Sequence, residues 1–202
     1  MKLIAIFLLI TLSSFVNADF DDAYGHLKQK EYTKAFTELK PLAEQGHVPS
    51  QMNLGWMHHK GLGVEQNYKT AIKWYEMAAN QDNEDAQHTL GNLYRNGEGK
   101  KDAVTKDLNK AMYYYKKASD NGFPYSTFTI GVMYEKGEGV NKSIKNATKW
   151  FKKTYEHDSV KKKILGLWDS FRITFLLDNY KDVHYKYRLL AHKSLELTRV
   201  EL

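Results

Sequence analysis

The residues best suited to chemistry in this chain are its eight His, three Gly-x-Gly pairs and a Ser-x-x-Lys stretch. His58 and His59 are adjacent, so on a helix they point to different sides, and no His-Glu-x-x-His pattern occurs. They make no metal set. Ser159-Val160-Lys161-Lys162 has the spacing of a nucleophilic Ser and its Lys, but the companion Ser-Asp-Asn and Lys-Thr-Gly motifs are missing. No strand precedes the Gly-x-Gly pairs, so they are not phosphate cradles. Asn141-Lys142-Ser143 and Asn146-Ala147-Thr148 fit the glycosylation sequon but fall at or inside a helix start. With no Cys, thiol chemistry and disulfides are excluded. The sequence therefore offers no catalytic residue, no metal ligand and no cofactor site, which leaves binding as the expected function.

The same residues make sense as parts of a repeat. Leu54-Gly55, Met57-His58, Gly61-Leu62-Gly63, Ala71 and Trp74-Tyr75 recur as Leu90-Gly91, Leu93-Tyr94, Gly97-Glu98-Gly99, Ala111 and Tyr114-Tyr115. They recur again as Ile130-Gly131, Met133-Tyr134, Gly137-Glu138-Gly139, Ala147 and Trp150-Phe151. Six residues separate the first Gly from its Gly-x-Gly pair in every copy. From there to the Ala takes ten, fourteen and ten residues, so the middle copy carries a four-residue insertion at about 100–105. Periods of 36 and 40 residues mean supersecondary units repeated in tandem.

Each unit reads as an antiparallel helix pair. Leu54, Gly55, Met57 and His58 share one helix face. Gly55, Gly91 and Gly131 on that face admit a close neighbouring helix. Gly61, Gly97 and Gly137 suit a left-handed helix end, and Gly63, Gly99 and Gly139 let the chain turn back. Asn67, Asp107 and Ser143, each four residues before the marker Ala, are favoured N-cap types for the second helix.

This pattern resembles the Sel1-like repeat family, relatives of the tetratricopeptide repeat. The resemblance rests on the Leu-Gly first helices, the Gly-x-Gly loops and the Ala-x-x-Trp/Tyr-Tyr second helices. It implies an all-α fold, an α-solenoid of stacked antiparallel helix pairs, with units at about 50–84, 85–124 and 125–159. Its departures are His58 in a Tyr slot, Lys100 after a Gly-x-Gly pair, and Thr154 where Ala78 and Ala118 stand. Some cysteine-rich secreted relatives are associated with β-lactam binding or hydrolysis. Their cysteine framework is absent, so that activity is not expected to carry over.

The flanks are less regular. Lys2, the apolar run Leu3 to Leu12 and Val16-Asn17-Ala18 read as a signal peptide over 1–18, cleaved after Ala18. The run is too short to span a membrane. An exported protein of a bacterial periplasm or secreted space is expected, held together without disulfides. Residues 19–49 form a partial unit in which Ala35 and Ala43 match Ala71 and Ala79, with Pro41 inside its second helix as an expected kink. Pro49 and Pro124 mark starts of first helices. Residues 160–202, with Leu165, Trp168, Phe171 and Phe175, read as C-terminal capping helices, because an end unit must cover the open core, with a docking helix for a partner as the alternative.

Function is expected on the variable face of the first helices: Asn53, Trp56 and Lys60; Thr89, Asn92 and Asn96; Thr129, Val132 and Lys136. In stacked helix pairs such positions line an inner groove, and Trp56 is the expected anchor. The partner is expected to be another protein and not nucleic acid. The formal net charge is +6, and residues 142–163 concentrate eight Lys against Glu156 and Asp158, which could meet an anionic surface. The expected role is a non-catalytic protein-binding scaffold. The alternatives are a periplasmic immunity protein against a secreted toxin and an exported hydrolase acting on β-lactams or peptidoglycan.

Overall fold

A computed structural model of the chain describes residues 20–99 and 104–157, together with Arg188 and His192. The expected signal peptide, Ser159 and most of the expected cap lie outside the described residues. Eight helices are present among the described residues: α1 (20–28), α2 (Tyr32–Glu44), α3 (Val48–Lys60), α4 (Tyr68–Ala79), α5 (Glu84–Asn96), α6 (Leu108–Asp120), α7 (Pro124–Lys136) and α8 (Ile144–Glu156). No strand occurs among them, and the only β feature is an isolated antiparallel bridge between Glu98 and Val104. The class is all-α, of the α-solenoid type.

The helix ends follow from local chemistry. Asn67 accepts a hydrogen bond from the Thr70 N–H at 2.8 Å. Asp107 accepts from Asn109 and Lys110 at 3.0 Å each. Ser143 accepts from Asn146 at 3.2 Å. All three expected caps satisfy otherwise orphaned donors. At the other end, Gly61 and Gly137 take φ of 69° and 76°, where a Cβ would be strained. Pro49 and Pro124 sit inside the first turns of α3 and α7, where the missing N–H has no helical acceptor anyway. α2 is continuous through Pro41.

The described chain forms two compact units. One holds the residues up to Ala86 together with the Gly97–Thr105 loop; the other holds Gln87–Asn96 and the residues from Lys106 on. In the first, α2 packs on α3 and α3 on α4. Ala23, Leu27, Ala35, Leu39, Ala43, Leu54 and Met57 make the core, with Phe36 and Trp74 against it. In the second, α6 packs on α7 and α7 on α8. Its core has one cluster around Ala111, Met112, Tyr115, Ile130 and Met133 and another around Ala147 and Phe151.

Each pair is drawn close at its first-helix Gly. A Cβ on Gly55 would stand 2.6 Å from the Tyr75 ring, and one on Gly131 would stand 2.5 Å from the Phe151 ring. The ring of the second helix therefore lies directly against the first helix's backbone. Buried amides repeat as well. Gln51 donates to the Ala43 carbonyl at 3.0 Å and accepts from Gln81 at 2.9 Å. In the other unit Gln87, also fully buried, accepts from Asn121 at 3.0 Å.

Candidate functional site

In the first unit, α3 carries Asn53, Trp56 and Lys60 at helical spacing. Asn53 donates back to the Pro49 carbonyl at 2.9 Å. Trp56 is 38% exposed and meets the Tyr32 ring edge-on, with centroids 6.4 Å apart. Lys60 is exposed. This pairing of a large exposed indole with a second ring and a neighbouring cation suits a protein contact.

In the second unit the corresponding positions are more committed to the fold. The Asn92 side-chain oxygen accepts from the Tyr115 hydroxyl at 2.7 Å. Val132 packs with Phe128 and Tyr134 around Ala147 and Phe151. Thr129 donates to the Tyr125 carbonyl at 2.8 Å, and Lys136 pairs with Glu138 at 3.9 Å. Thr89 is half-buried and Asn96 exposed. The face drawn from helical spacing thus divides: Trp56, Lys60 and Asn96 face outward, while Asn92 and Val132 pack inward. The reason is that the second helix's ring lies beside these two positions. A Tyr at 115 needs a polar neighbour for its hydroxyl, and Phe151 does not.

Sequence reasoning missed the charged joints between successive copies. His59 on α3 bonds through Nε2 to Glu98 Oε2 at 2.8 Å. Its counterpart Arg95 on α5 donates from Nε to Glu138 Oε2 at 2.7 Å, and its Nη2 reaches the same oxygen at 2.7 Å. Glu98 and Glu138 are the middle residues of Gly-x-Gly loops, so the loop reaches back to the first helix of the copy before it. The readable signal was a base four residues after the first-helix Gly in one copy and an acid inside Gly-x-Gly in the next.

His88 and His58 are spent on packing. His88 bonds through Nδ1 to the Ser126 hydroxyl at 2.7 Å and lies against Tyr115 and Phe123, and burial pushes its pKa down to about 4. His58 meets Phe36 edge-on at 5.6 Å, and burial lowers its pKa. It is a packing residue, as its Tyr slot implied, yet its buried Nδ1 has no hydrogen-bond partner. Burial raises Tyr115 to about 12 and, together with the Glu98 charge, raises Tyr75. Among the described residues no three of His, Cys, Asp or Glu are grouped to hold a metal ion. No helix among them is long and apolar enough to cross a membrane.

Of the basic stretch, Lys142, Lys145, Lys149, Lys152 and Lys153 are exposed, and the remaining Lys lie outside the described residues. Lys152 pairs with Glu156 at 3.7 Å. Lys153 reaches Asp120 at 3.5 Å and sits over the Trp150 ring at 5.0 Å.

Comparison with known proteins agrees with this architecture. The Sel1 repeat family matches residues 48–83, 84–123 and 124–159. The human protein sel-1 homolog 2 is 35% identical over 85 residues, 42% of this chain and 12% of that protein. A Sel1 repeat protein from Oxalobacter formigenes superposes with a TM-score of 0.60 at 30% identity, covering 71% of this chain and 57% of that one. A protective antigen of uropathogenic Escherichia coli strains with an SLR fold gives 0.67 at 26% identity, covering 91% and 38%. The chain thus spans about an eighth of the human relative's length. Three matched copies, each with its capped second helix and its first-helix Gly under an aromatic ring, place the chain in the Sel1 repeat family.

Proposed function

We propose that the protein is an exported, non-catalytic scaffold that binds another protein in a bacterial envelope or secreted space, with Trp56 as an anchor. The observation that carries this reading is the contrast within the first unit. The polar groups that could do chemistry, His58 and His59, are engaged by Phe36 and Glu98, whereas Trp56 keeps 38% of its surface exposed next to Tyr32 and Lys60. Burying such an indole in a partner is worth several times what a rim charge contributes. The likeness to a protective antigen supports a place outside the cytoplasm.

Affinity capture from an envelope fraction, run side by side with wild-type and Trp56→Ala chains and read by mass spectrometry, tests the site. A partner that binds the wild type should bind Trp56→Ala more weakly by ~2 kcal/mol. A partner retained by Trp56→Ala but lost with Lys149→Glu and Lys153→Glu would move the site to the basic face of α8. Fractionation of cells expressing the full chain tests export, and turnover of a β-lactam or peptidoglycan substrate would overturn the non-catalytic reading.

A further inference from the structure

Three positions, each four residues after a first-helix Gly, mark the joints between copies: His59, Arg95 and Glu135. The first two are bases, and each meets the acid of a following Gly-Glu-Gly loop, Glu98 at 2.8 Å and Glu138 at 2.7 Å. The third is an acid. A further Gly-Glu-Gly loop at that joint would bring two carboxylates together, which like-charge repulsion and desolvation both oppose. What Glu135 meets instead is a base: Arg188 Nε lies 3.2 Å from its Oε1.

A second contact falls in the same register. Seven residues before the joint position, His88 on α5 bonds to Ser126 on α7, the first helix of the next copy. Its counterpart on α7 is Phe128, whose ring lies 5.9 Å from the His192 ring. Arg188 and His192 are both helical and stand four residues apart in the sequence. The two positions of α7 that correspond to α5's contacts with the next copy are thus met by Arg188 and His192.

We infer that this side of α7, marked by Phe128 and Glu135, is a charge-inverted docking surface specific for a basic helix, and that its occupant is this chain's own stretch bearing Arg188 and His192. The inversion of sign ends the series. A helix offering an arginine and an aromatic ring at i and i+4 fits, and a loop offering glutamate does not. The assignment stands independently of any partner bound at Trp56.

Four full-length chains test it: Arg188→Ala, Arg188→Glu, Glu135→Arg, and the exchange of both charges, which reproduces the polarity of the Arg95–Glu138 joint. The readout is amide exchange protection of α7 by mass spectrometry at low salt. Arg188→Ala is expected to lower α7 protection by roughly two- to fivefold, and Arg188→Glu by more. The exchanged chain should recover most of the protection lost by Arg188→Glu. The inference is overturned if the double exchange is as poorly protected as the sum of the single changes, or if Arg188→Glu protects α7 as well as Arg188→Ala does. It is also overturned if α7 protection in the wild type depends on protein concentration, because the occupant would then be a second copy. Circular dichroism on each variant confirms that the helices persist, and Arg188→Ala, a change at a half-exposed side chain, keeps the test valid should Glu135→Arg fail to fold.

Discussion

The Tyr115 ring lies so close to Gly91 that a Cβ built on the glycine would stand 2.6 Å from two ring carbons. The ring cannot swing away freely, because Tyr115 is fully buried and its hydroxyl is held by Asn92. Gly91→Ala is therefore expected to lower stability by ~1–3 kcal/mol through overpacking. Gly25, in α1, has nothing within 4 Å of the same hypothetical atom. Gly25→Ala should be neutral or stabilise by up to ~1 kcal/mol, since Ala is the better helix former. Thermal unfolding of the two variants separates close approach from mere helix propensity, and equal shifts would refute the distinction.

Tyr115 and Asn92 form a pair that the third copy replaces with Phe151 and Val132. Removing one member strands a buried polar group, whereas removing both need not. Asn92→Val alone and Tyr115→Phe alone are each expected to cost about 1–2 kcal/mol, and the double change less than their sum. A double-mutant cycle in denaturant measures this directly. Strict additivity would mean that the hydroxyl is satisfied elsewhere.

Arg95 and Glu138 are both about three-quarters shielded, at 23% and 29% exposure. Their charge-assisted contact should therefore exceed a freely solvated ion pair, yet remain near ~1 kcal/mol once screening is counted. Glu138→Gln is expected to reduce stability by about that amount at low salt and by less at 1 M salt. A salt-independent loss would assign the effect to shape instead of charge.

His88 gives the protein a built-in acid sensitivity. Its folded pKa of about 4 lies below the ordinary 6.5, so between those values the unfolded chain takes up a proton that the folded chain refuses. Stability is then complete above pH 6.5 and falls as the pH drops toward 4, by on the order of 2–3 kcal/mol from this group. The same burial lowers His47 and His58, so they add to the slope in the same direction. Melting temperatures measured from pH 7 to pH 4.5 should show a smaller decline in His88→Gln, whose side chain can still meet Ser126. An unchanged slope would place the acid sensitivity elsewhere.

What could be read in the chain was local or repeated. Asn67, Asp107 and Ser143 are caps because a cap needs only its own next turn, and Gly55, Gly91 and Gly131 stood out because a missing side chain in the same slot three times needs a reason. The joints were harder. Glu98 lies 39 residues from His59 and Glu138 lies 43 from Arg95, so no local rule connects them. The first copy obscured the pattern further, with Leu62 in the acid's place. How exposed each position of the variable face is was only partly legible, for a geometric reason. A wheel drawn for one helix gives a single outward side, but Asn92 and Val132 lie beside the ring of the second helix. Helical spacing in α5 and α7 could not reveal that α6 and α8 cover them.

The Glu98–Val104 bridge sets apart the four-residue insertion of the middle copy. Reciprocal backbone bonds, Val104 N–H to the Glu98 carbonyl at 2.6 Å and Glu98 N–H to the Val104 carbonyl at 3.2 Å, clasp the chain at the base of the loop. Glu98 is anchored in turn by His59, and Val104 is buried. A clasp of this kind uncouples loop length from the packing below it, because lengthening a closed loop costs only about 0.6 kcal/mol per doubling. The middle copy is therefore expected to serve as a grafting port: an epitope tag or a short binding peptide inserted between Glu98 and Val104 should leave the packing of α5 and α6 unchanged.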